Sequence, residues 1–294
     1  MKYVLIWKNF FTHRKYILNN KLSVLFIGDI VGEPGMVCTK KYLPELIKKY
    51  NADFVVVNGE NADKGKGITE KEVNELFDLG TNVITTGNHI WDNWKSKPIL
   101  AENQRVIRPL NYPPGNVGLG YTFYTIDAGT QICVLQLQGR TFMQTIDCPF
   151  RAADFALKSI QEKTKNIIVD FHADATAEKI AMSFHLDGRV SAIIGTHTHV
   201  QTADACILPN GTAYITDTGM TGPYNSVVGL KKEIALKRLL QQIPFKYEMG
   251  AGDERIAGVN VIIDTSTGQS LKIEPFILPE FVKSIFEQFE SNDE

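Results

Sequence analysis

Short apolar runs that each stop at a glycine or a cluster of polar, metal-capable residues constrain this chain most. Leu22–Ile27 ends in Gly28-Asp29, Ala52–Val57 in Asn58-Gly59-Glu60-Asn61, and Asn82–Thr86 in Gly87-Asn88-His89. Lys40–Tyr50 follows the first run with Leu43, Leu46 and Ile47 at helical spacing, and Thr69–Leu79 follows the second with the capping-box pattern Thr69-x-x-Glu72. Three strand–helix units in succession predict a right-handed β/α half with parallel strands.

The second half resumes the theme. Tyr121–Asp127 and Gln131–Leu137 flank Ala128-Gly129-Thr130 and read as a hairpin. Arg151–Lys163 reads as a helix and Asn166–Phe171 as a strand ending in His172. Thr176–His185 is a helix, and Val190–Ile194 a strand ending in Gly195-Thr196-His197-Thr198-His199. The tail is β-rich, with Cys206–Leu208, Ala213–Thr216 and a hairpin of Val259–Asp264 with Leu271–Pro275; Phe281–Phe289 closes as a helix. No repeat or linker divides residues 21–294. They read as one α/β domain of two packed sheets with helices outside.

Residues 1–20 stand apart as a basic N-terminal extension. Residues 1–21 hold Lys2, Lys8, Arg14, Lys15 and Lys21 and no acid, although the whole chain carries a net charge of only −2. The body is therefore acidic, which argues against tight non-specific RNA binding, whereas the tail allows it. No apolar stretch reaches the length of a membrane span, and no signal-peptide pattern opens the chain. Cys38, Cys133, Cys148 and Cys206 form no C-x-x-C pair, so they read as small core residues in a reducing compartment. A cytoplasmic protein is expected.

In parallel α/β sheets the carboxyl ends of the strands share one edge, where ligands bind. Asp29, Glu60, Asn61, Asn88, His89, His172, His197 and His199 all fall at such ends. Gly-x-His-x-His in extended chain would point both imidazoles the same way, toward one metal ion or two. Asp29 and Glu60 buried together would repel unless a cation lay between them. Oxygen and nitrogen ligands without thiolate suit manganese, iron or zinc. Arg140, in Gly139-Arg140-Thr141, either faces a phosphate or pairs on the surface. Trp91 and Trp94 either pack or stack a base.

These motifs, in this order, resemble the calcineurin-like metallophosphoesterases, and among them the bacterial YmdB-type phosphodiesterases. The resemblance extends to Gly65-Lys66-Gly67, Ile90-Trp91-Asp92, Leu137–Phe142, Asp170–Ala173, Gly195–Asp204 and Thr216–Tyr224, and covers about Leu22 to Pro279. It departs from the wider superfamily in having Val31 where Asp-x-His is usual and Glu60 where the bridging residue is commonly Asp; the YmdB-type branch shares both. The resemblance implies a four-layer α/β/β/α sandwich with two divalent or mixed-valence ions per chain, iron or manganese ahead of zinc. Asp29, Glu60, Asn61 and His199 would hold one ion, and Glu60, Asn88, His172 and His197 the other.

Cyclic nucleotides, 2′,3′-cyclic monophosphates among them, are the implied substrates. The implied chemistry is attack by a metal-activated hydroxide, with His89 as general acid and Asp92 a candidate to orient it. The alternatives are a nucleotidase or nuclease on the same centre, or a regulatory protein that binds RNA or a partner and hydrolyses incidentally. Homo-oligomerisation is compatible with the sequence.

Overall fold

A computed structural model describes residues 20–126 and 129–282. The expected extension, two residues at the hairpin turn and most of the expected closing helix lie outside the described residues. In chain order the elements are β1 (Lys21–Ile27), α1 (Gly32–Tyr50), β2 (Phe54–Asn58), α2 (Glu70–Asp78), β3 (Val83–Thr85), a 3-10 turn (Asn88–Trp91), α3 (Ser96–Glu102), β4 (Tyr121–Thr125), β5 (Gln131–Gln138), α4 (Pro149–Ile160), β6 (Ile167–His172), α5 (Thr176–Leu186) and β7 (Ala192–Thr196). Then come β8 (Cys206–Ile207), β9 (Ala213–Ile215), β10 (Gly222–Pro223), α6 (Lys232–Gln241), β11 (Glu254–Asp264) and β12 (Ser270–Leu278).

Two six-stranded sheets result. One runs β10-β11-β1-β2-β3 with β12 on β11; the other runs β4-β5-β6-β7-β9-β8. β1, β2 and β3 are parallel, as are β5, β6, β7 and β9, so the ends that carry the polar clusters share one edge in each sheet.

Strand alternation builds the layers. In β1, Leu22, Val24 and Phe26 point into a core shared with Ile132, Val134, Ile168, Ile194 and Val261 of other strands, between the sheets. Leu25 and Ile27 point the other way, against Leu43 and Leu46 of α1 and Leu76 of α2. In the second sheet Cys133, Leu135 and Val169 turn outward onto Leu157 of α4 and Met182 of α5. This is the expected α/β/β/α sandwich. Each fully buried Val, Leu, Ile or Phe side chain stabilises it by roughly 1.5–3 kcal/mol.

The capping box forms, with the Thr69 N–H on Glu72 Oε2 at 2.9 Å. α1 begins at Gly32, eight residues before the helical spacing becomes legible, because Pro34 falls in its first turn and tolerates that position. α6 was not foreseen: its Leu236, Leu239 and Leu240 are exposed and trace no core-facing stripe. Cys38 and Cys133 are buried as expected, but Cys206 is exposed on a two-residue strand. No helix among the described residues is long and apolar enough to cross a membrane.

Candidate metal centre

All eight strand-end residues converge where the carboxyl edges of the two sheets meet. Asp29, Glu60 and His172 are fully buried and Asn61 nearly so. Three lone-pair atoms crowd His172 Nε2: Glu60 Oε1 at 3.1 Å, Asn88 Oδ1 at 3.1 Å and His197 Nδ1 at 3.0 Å. An imidazole nitrogen carries at most one proton, so it can satisfy one of them. Glu60, His172 and His197 each offer a ligand atom, all within 4.8 Å of one another. Asp29 Oδ1 is a buried carboxylate oxygen without a hydrogen-bond partner, 3.8 Å from His172 Nδ1. Convergent acceptors short of protons fit a cation.

Asn61 and His199 extend the cluster. Asn61 Nδ2 lies 3.0 Å from Glu60 Oε1 and 3.3 Å from His199 Nε2, and turning the amide over would put its carbonyl oxygen there instead. His199 Nδ1 donates to the Val228 carbonyl at 3.0 Å, which aims Nε2 inward.

Electrostatics follow from burial and crowding. Burial pushes the Asp29 carboxyl up. Burial would raise Glu60 too, but the adjacent His172 imidazole holds it down at about 2. Burial works against charge on His172, yet Glu60, Asp29 and Asp170 lift it to about 9. His197, half-buried and beside His172, is pushed down to about 3 by desolvation and by that neighbour.

Outer contacts orient these groups. His172 Nδ1 meets Thr196 Oγ1 at 2.9 Å, and that hydroxyl donates to Asp170 Oδ1 at 2.7 Å. The hydroxyl proton is thereby committed, so Nδ1–H must be the donor and Nε2 faces the cluster. Gly87 is required by close approach: a Cβ there would sit 2.2 Å from Glu60 Oε2 and 2.4 Å from His172 Nε2.

One expectation is corrected. His197 and His199 do not stand in extended chain; their φ angles are +98° and +66°. The chain turns left-handed after β7, sending His197 to His172 and His199 to Asn61. The His197 N–H on Asp29 Oδ2 (3.1 Å) and the Thr198 N–H on Asp217 Oδ2 (2.9 Å) hold the turn.

His89 sits at the rim. Its backbone N–H donates to Glu60 Oε2 at 3.2 Å, and its Nδ1 lies 2.9 Å from Asp92 Oδ2. Lys66 Nζ meets the same oxygen at 2.9 Å. Trp91 packs on Tyr112, ring centroids 5.2 Å apart, while Trp94 is exposed. His185 bonds Asp154 at 3.0 Å, away from the cluster.

Sequence reasoning missed Lys179 and Asp217. Lys179 Nζ, fully buried, donates to the Thr196 carbonyl at 2.7 Å and to Asp217 Oδ2 at 2.8 Å, on either side of the histidine turn. The signal was a lysine on the buried stripe Lys179-Met182-Leu186 of α5, which demands a buried anion.

Residues 25–276 match the family described as YmdB-like protein. A 2′,3′-cyclic-nucleotide 2′-phosphodiesterase of Bacillus subtilis is 44% identical over 257 residues, covering 87% of this chain and 97% of that one. The crystal structure of a hypothetical protein from Thermus thermophilus superposes with a TM-score of 0.82 at 41% identity, covering 87% of this chain and 98% of the other. That of a novel phosphatase from Mycoplasma pneumoniae superposes with a TM-score of 0.84 at 32% identity, covering 92% and 99%.

Proposed function

Since the chain belongs to the YmdB-like family of metallophosphoesterases, we propose that it hydrolyses nucleoside 2′,3′-cyclic monophosphates at the 2′ ester, leaving the 3′-phosphate. The observation that carries this is the convergence of Glu60, Asn88 and His197 on His172 Nε2, with the unpartnered Asp29 Oδ1 beside it. That donor set fits metal ions. Asp29, Glu60, Asn61 and His199 would hold one, and Glu60, Asn88, His172 and His197 a second, with Glu60 shared. Bound there, two ions would polarise the phosphoryl oxygens and supply a nucleophilic water at neutral pH.

The protein's own part is orientation and proton transfer. The Asp170–Thr196 hydroxyl chain fixes the His172 tautomer. His89, its Nδ1 held by Asp92, is free to protonate the departing 2′ oxygen from Nε2. Water oxygen bonds to phosphorus, the P–O2′ bond breaks and the 2′ oxygen gains a proton. His89 is not needed as a ligand, because seven other side chains supply both sets.

The test is elemental analysis after loading with Mn²⁺ or Fe²⁺, followed by chromatography of the products of 2′,3′-cyclic AMP. Two ions per chain and 3′-AMP are expected. Two bound ions without hydrolysis of any cyclic nucleotide would refute the activity, and no bound ions would refute the site.

A further inference from the structure

An open cavity of about 670 Å³ is lined by Tyr112, Arg140, Arg151 and Phe155, within the roughly 300–1,000 Å³ typical of ligand sites. Two of its lining residues tie it to the cluster. Tyr112 packs on Trp91 and donates to Gln138 Oε1 at 2.9 Å, and Gln138 stands opposite His172 across β5 and β6. Arg140 follows Gly139, whose N–H donates to the His172 carbonyl at 3.0 Å. Glu178 holds this loop through the backbone N–H groups of Arg140 (3.2 Å) and Thr141 (3.1 Å). The loop backbone is thus fixed to a proposed metal ligand while the Arg140 side chain is exposed.

The cavity offers unpaired cations beside an exposed ring. Among the described residues, the guanidinium groups of Arg140 and Arg151 make no ion pair or hydrogen bond, and the only carboxylate lining the cavity is Asp147. The third arginine, Arg108, is spent on the carbonyls of Pro109, Leu110, Asn116 and Val117. Arg151 and Phe155 lie four residues apart on α4, hence on one face, while Ala153, Ala156 and Leu157 fill the buried face. Phe155 is 79% exposed. Free guanidinium groups interleaved with a bare aromatic ring suit a phosphate and the base next to it. A mononucleotide has no second phosphate to offer them.

We propose that this cavity receives the nucleotide preceding a terminal 2′,3′-cyclic phosphate, so that the substrate class is the 3′ end of an oligoribonucleotide. Arg140 and Arg151 take the internucleotide phosphate, and Phe155 stacks the penultimate base. The inference rests on the activity proposed above.

The test compares kcat/KM for the dinucleotide ApA bearing a terminal 2′,3′-cyclic phosphate with that for 2′,3′-cyclic AMP, using metal-loaded full-length chain. The wild type should favour the dinucleotide by about 10-fold or more, through KM. Arg140→Gln with Arg151→Gln should bring that ratio to near one. Phe155→Ala, an exposed helix position where alanine folds readily, should lower it several-fold. A wild-type ratio of one, or variants that change both substrates equally, would overturn the proposal. If neither substrate is hydrolysed, the activity fails first, and anisotropy of a fluorescent ApA 3′-phosphate decides the cavity separately. A 10-fold weaker Kd in the double-arginine variant would sustain it, and an unchanged Kd would overturn it.

Discussion

Lys179→Met tests whether the buried Lys179–Asp217 pair holds the histidine turn. Lys179 is 1% exposed and Asp217 fully buried. The substitution removes two hydrogen bonds, to Thr196 O (2.7 Å) and Asp217 Oδ2 (2.8 Å), and strands a carboxylate in the interior. Breaking a buried pair from one side costs about 3–5 kcal/mol. In a chain of this size that lowers Tm by about 10 °C, measured on chelator-treated protein so that bound ions do not offset the loss. Asp217 also accepts from the Thr198 N–H (2.9 Å), the Thr198 hydroxyl (2.8 Å) and the Gly219 N–H (2.8 Å). The charge loss therefore loosens the segment between His197 and His199 and should weaken metal binding by about 10–100-fold. Lys179→Met with Asp217→Asn should recover most of the Tm, because no charge is left unpaired, but not the metal affinity. A single variant melting within about 2 °C of wild type, with metal affinity intact, would refute the reasoning.

His89→Ala should retain two ions per chain and lose about 10²–10⁴-fold in kcat on 2′,3′-cyclic AMP. The loss should shrink on an aryl phosphodiester whose leaving group needs no proton; equal losses on both esters would reject the acid role. Gly87→Ala would set a Cβ 2.2 Å from Glu60 Oε2 and 2.4 Å from His172 Nε2, forcing those ligands apart by about 1 Å; elemental analysis should find sub-stoichiometric metal, and kcat should fall by about 10²-fold or more. Thiol labelling of the native protein should be fast at exposed Cys206. It should stay slow until unfolding at Cys38 and Cys133, which are buried and whose thiols burial pushes up, Cys38 to about 12. Deleting residues 1–20 should leave turnover of a small phosphodiester within about twofold, checked by steady-state kinetics, because every residue of the proposed metal centre lies after residue 20.

Local physics made much of this protein legible in advance. The apolar run Leu22–Ile27, the capping box at Thr69 and the helical spacing after Lys40 are decided by residues within a few positions of one another. The polar clusters announce themselves because a buried strand carries a charged group inside it only where partners satisfy it, as Thr196 and Asn58 do for Asp170, whereas a strand end at a sheet edge carries them readily. The gathering of those residues therefore followed from strand order alone. Partnerships between distant segments are another matter. The left-handed turn at His197 and His199 contradicts the extended reading because Asp29, 168 residues away, and Asp217 hold the backbone there. The His172 tautomer depends on Thr196 and Asp170, and Lys179 finds its anion 38 residues downstream. The outward leucines of α6 left its helix unread. Sequence spacing encodes which face a side chain takes, since that is a property of one strand or helix. Which proton a nitrogen keeps, and which strained φ is sustained, is set by atoms the chain brings together only once its sheets have packed.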